Sequence, residues 1–174
     1  NCMMKTDKLV RCALIAAVYA AVCLALPFLS YGPVQIRFSE ALTLLPVLMP
    51  EAVVGLTLGC FLANLIGVFM GTTMAVDVVF GTLATLLAAL VTRRLASVRV
   101  KGLPLPGVLP PVLFNALIVG AELTWLYSPQ FTAALFGFNA LTVGLGELVA
   151  CLLGVALVFV IERNPALKNR FTGA

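Results

Sequence analysis

Histidine is absent from the 174-residue chain, and charged side chains make up only 10% of it. Without histidine, and with cysteines scattered at Cys2, Cys12, Cys23, Cys60 and Cys151 rather than at metal-ligand spacing, a metal-dependent membrane enzyme is not expected. The odd cysteine count also argues against a disulfide framework, and the four cysteines in apolar runs read as small packing residues. No glycine-rich loop is followed by the lysine of a phosphate-binding motif, so the chain is not expected to be its own ATPase. Ser30, Ser39 and Ser128 lack an evident base, which leaves no serine nucleophile. Strand-period alternation is missing too, which argues against an outer-membrane barrel. No cofactor is expected.

What the chain has in excess is apolar sequence. Hydrophobic residues reach 62% and mean hydropathy is +1.13, whereas soluble domains carry about a quarter charged residues. Its apolar runs suit helices of about 20 residues, the length that spans a hydrocarbon core of about 30 Å. The first run has no convincing signal-peptide cleavage site and leads on to more apolar sequence. The expected class is an all-α polytopic membrane protein in the cell membrane, one domain over residues 1–174 with six transmembrane helices.

In order, the predicted helices cover Leu9–Leu26, Ser39–Met49 with a bend at Pro46, Glu51–Met70, Val76–Val91, Val108–Leu126 and Asn139–Ile161. Lys5, Lys8 and Arg11 precede the first. Arg93, Arg94, Arg99 and Lys101 lie between the fourth and fifth, and Arg163, Lys168 and Arg170 follow the sixth. These are all the Lys and Arg residues but Arg37, and six crossings bring their segments to one side, the cytoplasmic one. The basic segments read as orientation signals, not as a nucleic-acid site. Both termini are then cytoplasmic, and Pro27–Phe38, Gly71–Ala75 and Tyr127–Phe138 are outer loops.

Counting at about 1.5 Å per residue places most embedded polar side chains in the outer half. Glu40 and Asp77 open their helices, and Glu122 and Glu147 lie about one and two turns below the outer ends of theirs. Asn64 sits below the outer end of the third helix, Asn139 starts the sixth, and Asn115 lies nearer the midplane. Intramembrane ionisable groups are costly and mark pathways or binding sites. Each also has a structural reading: Asp77 as a first-turn anion, Asn64 and Asn115 as interhelical glue. A carboxylate there without a partner must be protonated, hydrated or satisfied by a ligand. Arg37 alone cannot neutralise four acids. An outward-facing, acceptor-rich cavity follows, suited to a ligand with several N–H donors or a positive charge. A guanine-like heterocycle fits, although composition does not choose it over another polar cation. Phe28, Tyr31, Phe38, Trp125 and Tyr127 lie near the mouth, as stacking surfaces or as belt aromatics.

Two local patterns stand out. In Arg37-Phe38-Ser39-Glu40, Ser39 can cap a helix whose first turn holds Glu40, with Arg37 three residues away on the same face. On the first helix, Ala13, Ala17, Ala21 and Ala25 recur every four residues as a smooth ridge, which admits another helix from outside or packs within the bundle. Gly55 and Gly59 form a shorter ridge assigned to internal packing.

The runs Arg37-Phe38-Ser39-Glu40-Ala41-Leu42-Thr43-Leu44-Leu45-Pro46, Gly59-Cys60-Phe61-Leu62-Ala63-Asn64-Leu65 and Asp77-Val78-Val79-Phe80-Gly81-Thr82-Leu83-Ala84-Thr85 resemble the queuosine-precursor transporter family, QueT. The likeness is strongest over predicted helices 2 to 4. It implies a substrate-binding (S) component of an energy-coupling factor (ECF) transporter. Such a subunit captures a micronutrient outside and closes its first outer loop over it. It docks on a membrane coupling subunit (EcfT) bearing two EcfA-type ATPases, and topples to release substrate inward. The implied substrates are 7-deazaguanine bases that precede queuosine, or queuine. Ala13, Ala17 and Ala21 become docking candidates. Arg37, Glu40, Asn64, Asp77, Asn115, Glu122, Trp125, Asn139 and Glu147 become substrate-site candidates. Other readings are an S component for another vitamin or base, an autonomous cation-coupled transporter, and an assembly protein. No internal repeat supports the second of these.

Overall fold

The computed structural model describes residues 2–26 and 37–172, with side chains from residue 5 onward. Most of the expected first outer loop, including Phe28 and Tyr31, lies outside the described residues. The elements are α1 (Cys2–Ala25), a 3-10 helix η1 (Phe38–Val47), α2 (Glu51–Phe69), α3 (Ala75–Arg94), a 3-10 turn η2 (Leu105–Val108), α4 (Leu109–Tyr127), α5 (Ala133–Arg163) and α6 (Pro165–Thr172). Among the described residues, α1 to α5 are long and apolar enough to cross a membrane. Their outer faces carry large apolar side chains such as Leu14, Val18, Phe69, Val79, Leu141 and Val160, as a lipid-facing surface requires.

The sixth apolar helix is the ten-residue η1. At about 2.0 Å per residue it extends about 20 Å, short of the hydrocarbon thickness. It is therefore an internal plug: it packs on α5, α3 and α1, and buries Ser39, Glu40, Thr43, Leu44, Leu45, Pro46 and Val47. Irregular backbone is tolerated at membrane depth only where protein covers it. Its far end is held by Arg93, whose Nη1 donates to the carbonyls of Pro46 and Val47 at 3.0 and 3.4 Å. The helix does not begin on a Ser39 cap as expected. Arg37 occupies the cap position and its side chain does not cap the helix, while the Ser39 hydroxyl turns to the thiol of Cys23 at 3.2 Å.

Helices α1 and α2 pack closely because Gly55 and Gly59 have no side chain. A Cβ at Gly59 would stand 2.8 Å from Tyr19 Cβ, and one at Gly55 2.9 Å from the Cys12 carbonyl oxygen. This glycine ridge is internal, whereas Ala13, Ala17, Ala21 and Ala25 are exposed on the opposite side of α1.

The cationic helix ends lie together. Arg11 meets Glu51 at 3.3 Å, joining α1 to the start of α2. Arg99 grips Glu162 through two bonds of 3.0 and 2.7 Å, joining the α3–η2 loop to the end of α5. That loop is a tight reversal, with Lys101 and Gly102 both at positive φ between bridged Val100 and Leu103. The residues after α5 fold as α6, since Asn164 caps it by accepting from Ala166 N at 3.0 Å and Pro165 fills its first position.

One boundary changes the depth of the site. Helix α5 begins at Ala133, not Asn139, because Thr132 caps it by accepting from Leu135 N, and nothing between them breaks a helix. The loop shrinks to residues 128–132, and Asn139 sits inside the helix instead of starting it. Glu147 is then fourteen residues from the start of α5, close to four turns, rather than two. It stands at the middle of a 31-residue helix.

Candidate functional site

The deeper polar cluster surrounds the start of η1. Tyr19, fully buried on α1, donates its hydroxyl to Glu40 Oε1, while Glu40 Oε2 has no partner among the described residues. Arg37 is only 4% exposed. Gly81 on α3 makes room for Asn64 and lies beside Arg37. A Cβ there would stand 4.0 Å from Arg37 Nη1 and 2.9 Å from Asn64 Nδ2. Asn64 donates to the Asp77 carbonyl at 3.0 Å, tying α2 to the first turn of α3, and its Oδ1 is left without a partner. Cys60, one turn below Asn64, receives Thr85 Oγ1 at 3.3 Å. Glu147 reaches this cluster from α5, buried and within the field of Glu40, with Oε2 unpaired among the described residues.

A second cluster lies toward the outer end. Asp77 caps its own helix by accepting from Met74 N at 3.0 Å, as a first-turn acid does. On α4, which packs against α3, Glu122 is 5% exposed and neither of its oxygens has a hydrogen-bond donor among the described residues. Thr82 adds a further unpaired buried hydroxyl on α3. A cavity of about 130 Å³ opens beside Asp77, lined also by Thr72, Thr73, Met74 and Tyr127. A larger cavity of about 550 Å³ lies away from these acids, at the opposite end, between apolar side chains of α1, η1 and α5, with Asp7, Arg11 and Arg170 at its rim.

The clusters occupy different levels. A Cβ on Gly120 would touch Ala140, which sets the register of the antiparallel α4–α5 pair. Glu122 then faces the level of residue 138, and Glu147 lies nine residues deeper, about 13 Å. Arg37, from the chain entering η1, is buried beside Gly81 on α3.

Other expected site residues are placed elsewhere. Asn115 is buried but bonds the carbonyl of Pro111 on its own helix at 3.0 Å. Asn139 donates to Thr124 Oγ1 at 2.9 Å and pins α5 to α4. Trp125 is 67% exposed, in the manner of a belt aromatic. Sequence reasoning missed Tyr19, Thr82 and Thr85. A tyrosine in mid-span must find a partner for its hydroxyl, so Tyr19 was the one with a readable signal.

Buried polar atoms of membrane helices are ordinarily paired. Here unpaired ones come from η1, α2, α3, α4 and α5, at two levels of the bundle, and most are acceptors. A ligand rich in N–H donors would satisfy such a set.

Comparison with known proteins agrees with the family that the sequence resembles. The QueT transporter family matches residues 9–163. A relative named queuosine precursor transporter QueT, from Lactococcus lactis subsp. cremoris (strain MG1363), is 36% identical over 84 residues, covering 47% of this chain and 47% of that protein. The chain thus spans about half the length of the curated relative it matches. No solved structure matches. With a family match running from the first span to the end of the fifth, and helices built to cross a bilayer, this chain is a multi-pass membrane protein and belongs to the QueT transporter family.

Proposed function

We propose that the chain is the substrate-binding subunit of an energy-coupling factor importer and takes up a 7-deazaguanine base that precedes queuosine, or queuine itself. The observation that supports this reading is the set of unpaired buried polar atoms at Glu40, Asn64, Thr82, Glu122 and Glu147 in a bundle that also buries Arg37. A 7-deazaguanine offers a ring N–H beside an exocyclic amine, which one carboxylate can accept together. Its carbonyl can take a donor such as Arg37 or the Asn64 amide. In this reading Glu147 or Glu122 reads the donor edge and the remaining acids meet the rest of the ligand. The outer cavity of about 130 Å³ is smaller than the ~300 Å³ of an ordinary ligand pocket, so the helix ends around it separate on loading.

In this reading the energy for import comes from partner ATPases through a membrane coupling subunit, and the sequence shows no phosphate-binding loop. The exposed ridge of Ala13, Ala17 and Ala21 on α1 gives such a partner a surface that a helix can approach closely. Purified protein titrated with a 7-deazaguanine base tests the ligand. Uptake in cells with and without the coupling subunit and ATPases tests the machinery. Saturable binding, with uptake only in the presence of the partners, is expected. Uptake driven by an ion gradient without any ATPase would favour an autonomous transporter instead.

A further inference from the structure

The larger cavity has no part in the site of buried acids. It holds about 550 Å³, within the ~300–1,000 Å³ usual for a ligand pocket. It lies at the basic end of the bundle, which the distribution of Lys and Arg puts on the cytoplasmic side. Leu14 and Val18 of α1, Leu42 and Leu45 of η1, and Leu157 and Ile161 of α5 line it. Both Asp7 and Val18 border it, so it follows α1 for about 16 Å, from the rim toward the middle of the span. Leu14 is 59% and Val18 48% exposed, so the groove is open on the side where lipid lies.

The rim has a different chemistry. Arg11 is engaged with Glu51 at 3.3 Å and with the Phe171 carbonyl at 3.4 Å, which holds α6 against α1. Arg170, also on the rim, is exposed and pairs with no acid among the described residues. The same is true of Lys5 and Lys8 on α1 and of Lys168 on α6. Asp7 is the acid on this rim, and these cations outnumber it. An apolar slot under a positive mouth matches a lipid in both its parts, because basic pockets between helices on the cytoplasmic side take anionic head groups. A protein helix about 10 Å across would need about 1,250 Å³ over the same length, whereas an acyl chain is a thinner guest.

We propose that this groove seats one anionic phospholipid of the cytoplasmic leaflet, with an acyl chain between α1, η1 and α5 and the phosphate at Arg170. Lys8 and Lys168 add to the positive field at the head group, and Asp7 opposes it. The site is separate from the buried acids and does not depend on which substrate they hold.

Native mass spectrometry of the purified full chain tests this, with phosphatidylglycerol or phosphatidylcholine of the same acyl chains added in turn. One phosphatidylglycerol should bind per protein, about fivefold tighter than phosphatidylcholine, which is the worth of one cation near a charged head group. R170Q should abolish that preference. L14W fills the slot from an exposed position and should weaken both lipids by about tenfold or more, equivalent to about two buried CH₂ groups. Arg170 and Leu14 are both exposed, so folding should hold in either variant, as a melting curve checks. Equal wild-type affinities, a preference that survives R170Q, or lipid binding that L14W leaves unchanged would overturn the proposal. So would a lipid-free species of twice the mass, which would show that a second copy covers the groove.

Discussion

Replacing Tyr19 by phenylalanine removes one oxygen atom from a fully buried position and should cost more than any comparable change at the surface. Its hydroxyl donates to Glu40 Oε1 across 21 residues of sequence, and both residues are 0% exposed. Glu40 Oε2 already lacks a partner among the described residues, so Y19F takes from the carboxyl the hydroxyl donor on its other oxygen. A hydrogen bond to an ionisable group contributes about 1.5–3 kcal/mol, and an acceptor left bare adds to the loss when its partner is removed. We therefore expect Y19F to destabilise the protein by about 2–3 kcal/mol. Glu40→Gln should cost a similar amount, and the double variant should fall short of the sum by about 1–2 kcal/mol, because both single changes break one bond. Denaturant-induced unfolding in mild detergent measures all four proteins. Y127F serves as the comparison: Tyr127 is 70% exposed and its hydroxyl reaches only the Met74 sulfur at 3.5 Å, so its loss should be under about 0.5 kcal/mol. If Y19F and E40Q add within about 0.5 kcal/mol, the bond does not couple α1 to η1 and the reasoning is wrong.

Packing and charge supply further tests. G59A puts a methyl group 2.8 Å from Tyr19 Cβ and should cost about 1–3 kcal/mol by forcing α1 from α2, read from the same unfolding curves. G137A, at an exposed position inside α5 where a Cβ meets nothing within 4 Å, should instead stabilise by up to about 1 kcal/mol. R93A uncovers the carbonyls of Pro46 and Val47 at the end of η1 and should cost about 1–3 kcal/mol at any salt concentration. R99A breaks a partly exposed pair with Glu162 and should cost less than about 1 kcal/mol, falling further as salt is raised.

Much of this architecture is legible in the chain because lipid imposes a strict rule on sequence. A span must be apolar for its whole length, so α1 to α5 show as runs, and each embedded acid shows as an interruption. The internal position of Gly55 and Gly59 could be read from spacing too. What could not be read depends on where separate helices meet. The bond from Tyr19 to Glu40, and the tie from Asn64 to the Asp77 carbonyl, follow from packing that leaves no local trace. The start of α5 was misplaced because Ser128 and Pro129 signal a loop, whereas the signal that ends it is only the hydroxyl of Thr132. Six residues of error at that cap put Glu147 two turns too shallow. The shape of η1 was hidden for another reason. Pro46 announced a disturbance, but a 3-10 helix covered by α1, α3 and α5 is stable through its surroundings, not through its own residues.

The most direct test of the ligand site is a calorimetric titration of the E122Q/E147Q double variant with a 7-deazaguanine base, beside the wild type. Removing both unpaired carboxylates should weaken binding by about a hundredfold or more, since a buried site built to accept donors loses its charged acceptors. Affinity equal to that of the wild type would contradict the claim that these buried acids hold the substrate.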